Sequence, residues 1–64
     1  MNLIEDLQQE IIRNKELLNF YESIPQGKFG ATFIKNDIDL GEKAIKNHDS
    51  VLMVGALKLL RNNE

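Results

Sequence analysis

Apolar residues recur along the first third of the chain at the spacing that one face of an α helix requires. They follow steps of three and four residues, with a polar Asn14 inside the series: Ile4, Leu7, Ile11, Leu18 and Tyr21. The pattern predicts a helix over residues 3–22, with Asn2 as its N-cap. Pro25 keeps the residue before it out of the α region. We therefore expect a connection over residues 23–28.

A second helix is predicted over residues 29–47. Its apolar edge again has helical spacing: Ile34, Ile38, Gly41 and Ile45. Gly30 and Gly41 each weaken a helix by about 1 kcal/mol relative to alanine. Because Gly41 lies within the apolar edge, we expect it to let another helix approach closely. The short turn that follows offers Asp49 and Ser50 as N-cap residues for a third helix.

The third predicted helix, over residues 50–61, is apolar around almost its whole circumference. A helix of this kind must be buried on all sides, and two other helices in a chain of 64 residues cannot cover it. We therefore expect part of it to form a subunit interface, because an exposed apolar surface promotes aggregation. The interface residues expected on this helix are Val51, Val54, Leu57 and Leu60. The predicted fold class is all-α, a single three-helix domain spanning residues 1–64.

Chain length supports the same expectation of self-association. A chain of about 60 residues buries too little surface for a robust monomeric core, and small folds compensate with disulfides, metals or oligomerisation. The sequence has no cysteine and one histidine, so we expect no disulfide, no metal site and no cofactor. Of these three ways to stabilise a short chain, oligomerisation remains, and we expect a homodimer. Asn14 then has two interpretations: it is part of the interface and fixes its register, or it faces water.

Charge and hydropathy limit the partners. Ten acidic and eight basic residues are interspersed and give a net charge of −2, so no basic surface is predicted for nucleic acid. No apolar run approaches the roughly 20 residues that span a bilayer. The N-terminus lacks the basic segment of a signal peptide. We expect a cytoplasmic protein with no membrane partner.

The residue inventory argues against catalysis. There is no cysteine nucleophile, and Ser23 and Ser50 lie at predicted helix ends. His48 is followed directly by Asp49 and Ser50, whereas a catalytic triad draws its members from separated segments. Asp37 and Asp39 are two residues apart and Asp37 and Glu42 are five apart, so neither pair of carboxylates points in one direction from a helix. We predict that the protein is not an enzyme.

Two features near the first connection have open interpretations. The Gly27–Gly30 segment has the bare Gly-x-x-Gly pattern and a lysine, so its amides and Lys28 are candidates for binding an anion. The alternative is that Gly27 supplies a turn conformation and Gly30 lets two helices pass closely.

Four aromatic residues flank the same connection: Phe20, Tyr21, Phe29 and Phe33. We expect them to pack in the core at the corner between the first two helices. The alternative is that aromatic side chains beside a loop anchor a partner. The partner-binding residues predicted under that alternative are Tyr21, Lys28 and Phe29.

The distinctive segment is Ile-Pro-Gln-Gly-Lys-Phe-Gly-Ala, from Ile24 to Ala31. With its surroundings it resembles small proteins encoded by bacteriophages and prophages of low-GC Gram-positive hosts, over roughly residues 3–60. In size and character the chain is similar to the phage proteins that block the Hachiman defence system. The resemblance implies an anti-defence inhibitor that binds a bacterial immune protein in the host cytoplasm. It carries over no catalytic residue.

Two other functions remain open from the sequence. One is a sponge for a small anionic nucleotide, held by Lys28 and the Gly27–Gly30 amides at a dimer groove. The other is a structural or regulatory dimerisation module.

Overall fold

The computed structural model describes residues 2–64, and it shows a bundle of three α helices with no strand in that range. The all-α, three-helix prediction is therefore confirmed. The elements are α1 (Leu3–Glu22), a 3-10 turn (Pro25–Gly27), α2 (Lys28–Lys46) and α3 (Ser50–Asn62). Relative to the prediction, α2 begins and ends one residue earlier and α3 extends one residue further. The connection before α2 is not a plain loop, because its centre is the 3-10 turn.

Local side chains define the ends of α1. The Asn2 Oδ1 atom accepts a hydrogen bond from the Glu5 amide at 3.2 Å, which satisfies one of the amides left free at a helix start. Glu5 and Asp6 in the first turn are favoured by the helix dipole. At the other end, the Ser23 hydroxyl donates to the Phe20 carbonyl at 2.6 Å. The predicted N-cap is thus confirmed.

The turn between α2 and α3 is a Schellman motif, a helix end closed by a residue in the left-handed conformation. His48 is that residue, with φ of 51°. Its amide donates to the Ile45 carbonyl at 3.1 Å, and the Asp49 amide donates to the Ala44 carbonyl at 3.0 Å. Asp49 then starts α3, because its Oδ1 atom accepts from the Leu52 amide at 3.0 Å.

The core runs along the axis of the bundle and takes side chains from all three helices. Its buried apolar members are Leu7, Ile11, Ile34, Ile38, Ala44, Met53, Ala56, Leu57 and Leu60. The three helices pack closely at Gly41 of α2, where an added Cβ would lie 3.3 Å from the Cδ1 atoms of Ile11 and Leu60. This confirms the expectation that Gly41 permits a close helix approach. None of the helices in residues 2–64 combines the length and hydropathy needed to cross a membrane.

Candidate functional site

Three phenylalanine side chains are exposed around the corner between α1 and α2. Phe29 is 85% exposed, and Phe20 and Phe33 are each more than half exposed. The expectation that they pack in the core is therefore wrong. Phe29 and Phe33 lie one turn apart on α2, on a different side of the helix from the buried edge that begins at Ile34. Their rings therefore face solvent. We call these three residues the phenylalanine patch.

Tyr21 lies at the centre of this corner and is only partly buried. Its ring contacts Phe20 edge-to-face, with centroids 6.1 Å apart, and together with Phe33 it borders a shallow depression. The Tyr21 hydroxyl donates to the Glu64 backbone carbonyl. Tyr21, predicted to contact a partner, therefore also has a structural role, because it ties the corner to the end of the described chain.

Both glycines of the Gly27–Gly30 segment are explained by Tyr21. A Cβ on Gly27 would lie 2.2 Å from the Tyr21 carbonyl oxygen, and a Cβ on Gly30 would lie 2.5 Å from the Tyr21 ring. The close pass expected of Gly30 is therefore confirmed. Gly27, however, has φ of −86°, which any residue adopts, so space and not turn conformation requires glycine there.

Lys28 is exposed beside the patch, at the first residue of α2. With Lys35 it borders a second shallow depression between α1 and α2, whose other charged member is Glu22. This side of the corner therefore carries more positive than negative charge. This depression shares no lining residue with the one that Tyr21 and Phe33 border, so Lys28, which directly precedes Phe29, is the lysine of this pair that adjoins the patch.

The interface residues predicted on α3 divide into two groups. Val51 is 83% exposed and Val54 is 44% exposed, whereas Leu57 and Leu60 belong to the core of the single chain. The reason is that α3 faces α1 and α2 with one side only, although its sequence is apolar on every side. The homodimer interface stays a prediction, and of these four residues Val51 and Val54 are the ones a partner can reach.

Asn14, also predicted at the interface, is fully buried in the single chain. Its Nδ2 atom donates to the Glu10 carbonyl at 2.8 Å and to the Leu60 carbonyl at 3.2 Å. Its Oδ1 atom accepts from the Asn63 side chain at 3.0 Å. In one chain Asn14 therefore ties the end of α3 to α1 and does not meet water.

Two further groups complete this network. Arg13 Nη2 donates to the same Leu60 carbonyl at 2.7 Å, and Asn63 Nδ2 also donates to Asp37 Oδ2 at 2.9 Å. Side chains from both other helices thus satisfy the polar groups at the C-terminal end of α3.

Groups with catalytic potential are dispersed or engaged elsewhere. Asp49 caps α3, and the Ser23 hydroxyl is bonded to the backbone of α1. Over residues 2–64 no three histidine, aspartate or glutamate side chains come together in a way that could hold a metal ion.

Comparison with protein-family models, curated proteins and solved structures finds no match.

Phe20 and Phe33 are the surface residues that the sequence interpretation did not assign to partner binding. A helical projection of α2 contains the signal, because Phe33 lies 100° around the helix from Ile34, which heads the buried edge. The sequence alone did not show that no other helix covers that side.

Proposed function

We propose that this protein is a non-enzymatic, phage-type anti-defence protein that binds and inhibits a bacterial immune protein in the host cytoplasm, and that it acts as a homodimer. The observation that carries the binding function is the phenylalanine patch. Monomeric proteins seldom leave large apolar side chains grouped on the surface unless they contact something. Aromatic side chains also contribute a large share of binding energy where they fill a partner's pocket.

The surroundings of the patch indicate the chemistry of the target surface. Exposed Lys28 directly precedes Phe29, and with Lys35 and Glu22 it borders a depression between α1 and α2. A complementary target would offer an apolar depression for Phe29 and Phe33, with acidic side chains at its rim. Tyr21 would act mainly by holding the corner in shape, because its hydroxyl and ring are already engaged within the chain.

A capture experiment with matched variants tests the proposal. The tagged protein is incubated with host lysate, and the retained proteins are compared for wild type, Phe29→Gln/Phe33→Gln and Ile12→Gln. Ile12 is a suitable control because it is 60% exposed, close to the 66% of Phe33, and because it borders a separate depression between α1 and the C-terminal half of α2. Each replaced side chain is exposed, so each variant should keep its stability within about 0.5 kcal/mol per substitution.

The expected result is one host protein that wild type and Ile12→Gln retain and that the double phenylalanine variant loses. Restored sensitivity of phage to host defence with the same variant would link binding to inhibition. Retention that is equal for all three proteins, or the absence of any specifically retained protein, would contradict the proposal.

A further inference from the structure

The outer face of α3 carries apolar side chains that no part of the described chain covers. Val51 is almost fully exposed, and Val54 and Leu59 are each a little under half exposed. Gly55 lies between them and is exposed as well. The face therefore consists of two large apolar side chains, Val51 and Leu59, spaced equally on either side of a glycine, with Val54 at its flank.

Gly55 differs from the other three glycines because nothing within the chain requires it. An added Cβ at Gly27, Gly30 or Gly41 would meet another residue, whereas one at Gly55 would have no neighbour within 4 Å. Its backbone does not require glycine either, since no glycine of the described chain has a positive φ. A glycine within a helix weakens that helix. Close approach of another backbone from outside is a use that accounts for it.

The sequence around Gly55 is complementary to itself in the antiparallel direction. When two copies of α3 cross in that direction at Gly55, Val51 of one copy faces Leu59 of the second. The end that carries Lys58 and Arg61 then lies beside the end of the second copy that begins at Asp49. The two helix dipoles oppose each other favourably. In a parallel pair, Lys58 and Arg61 would instead lie beside their own counterparts and repel them.

We infer that α3 pairs with α3 of a second copy in an antiparallel crossing centred on Gly55. This inference rests on the homodimer of the proposed function and deepens it by naming the face, the direction and the central residue. A second copy is the occupant that the face fits, because the same face supplies both halves of the apolar contact and the two ends of α3 carry opposite charges. A twofold pair of this kind is the common form of small homo-oligomers.

Cysteine cross-linking tests the direction and the register. The chain has no cysteine, so each introduced thiol is unique. Under mild oxidation Gly55→Cys should form a disulfide dimer, since a disulfide requires Cα atoms about 4.4–6.8 Å apart. A mixture of Val51→Cys and Leu59→Cys chains, one of them tagged, should cross-link to each other faster than either does to itself. Ile12→Cys, at an exposed position of α1, serves as the control and should cross-link slowly.

Sedimentation of unmodified variants tests the contact itself. Gly55→Gln adds a side chain where the single chain has free space, so the monomer should fold at least as well as wild type. The same side chain should separate two crossing helices and weaken dimerisation by at least about tenfold. Ile12→Gln should leave the dimer unchanged.

Several outcomes would overturn the inference. In sedimentation, these are a wild-type chain that stays monomeric, a Gly55→Gln variant that dimerises with unchanged affinity, or an Ile12→Gln variant that no longer dimerises. In cross-linking, it is a Val51→Cys chain that reacts faster with itself than with a Leu59→Cys chain. These outcomes are separable from failure of the target site. Suppose that the wild-type protein is monomeric and retains a host protein that Phe29→Gln/Phe33→Gln does not retain. That result would overturn the α3 pairing and leave target binding in place.

Discussion

Replacing Asn14 by alanine removes three hydrogen bonds from the centre of the bundle. The Asn14 side chain is fully buried, donates to the Glu10 and Leu60 carbonyls and accepts from Asn63. The substitution also leaves a cavity, because alanine is smaller than asparagine and the site is fully buried. We expect Asn14→Ala to destabilise the folded monomer whether or not the protein dimerises.

The loss in free energy of unfolding depends on the hydrogen bonds that the former partners of Asn14 keep. The Leu60 carbonyl still accepts from Arg13, and the Asn63 amide still donates to Asp37. These polar groups keep other partners, so each lost bond costs its net value of about 1 kcal/mol, not the larger penalty of an unpaired buried group. The expected loss is therefore about 3 kcal/mol, increased by the cavity. A domain of this length has about 3–10 kcal/mol of stability in total.

The assay is unfolding in urea followed by circular dichroism. It is repeated at several protein concentrations, because association makes apparent stability depend on concentration. Asn14→Leu keeps the branched shape and the number of side-chain heavy atoms, although leucine is larger, so it leaves no cavity and should cost less than alanine, about 1–2 kcal/mol. Asn19→Ala, on the exposed side of α1, is the matched control and should change stability by less than about 0.5 kcal/mol. A double-mutant cycle with Asn63→Ala should give a coupling energy of about 1 kcal/mol.

A loss below about 0.5 kcal/mol for Asn14→Ala would refute this reasoning, since it would place the side chain in solvent. If Asn14→Leu instead changes the number of subunits while the stability of the monomer stays the same, the result would favour a role of Asn14 in fixing the register of the interface.

Two further predictions concern backbone geometry. His48→Gly should stabilise the protein by about 1 kcal/mol in urea unfolding, because His48 is left-handed and glycine adopts that conformation without strain; Asn47→Gly, at φ of −92°, should give no such gain. Gly30→Ala should displace the Tyr21 ring, whose Cε2 atom would lie 2.5 Å from the new Cβ. Tyr21 is the single tyrosine in a chain without tryptophan, so intrinsic fluorescence reports its surroundings directly, and unchanged emission would contradict the predicted clash.

Features that depend on residues close together in the sequence could be predicted well. The three-and-four spacing of α1, the Asn2 cap and the break before Pro25 each depend on residues within a few positions of one another. The same is true of the Asp49 cap on α3. These signals are local because helix hydrogen bonds and caps join residues three or four apart.

Features that depend on distant residues could not be predicted. Asn14 reads as a polar interruption of an apolar face, since its partners Leu60 and Asn63 are 46 and 49 residues away. In α3 the hydropathy pattern does not distinguish the inner side from the outer, so Leu57 and Val51 look equivalent. For the phenylalanines, the residue type favours burial while only the arrangement of the helices leaves them exposed.

The network at the end of α3 also bears on the order in which the chain folds. Its bonds between α1 and the end of α3 close loops of 46–49 residues, and such closures cost more entropy than the short connection between α1 and α2. We therefore expect α1 and α2 to pair before α3 docks. Until α3 docks, the core side chains that it covers are exposed, and the chain is then most open to chaperones or to exchange of α3 with a neighbouring copy.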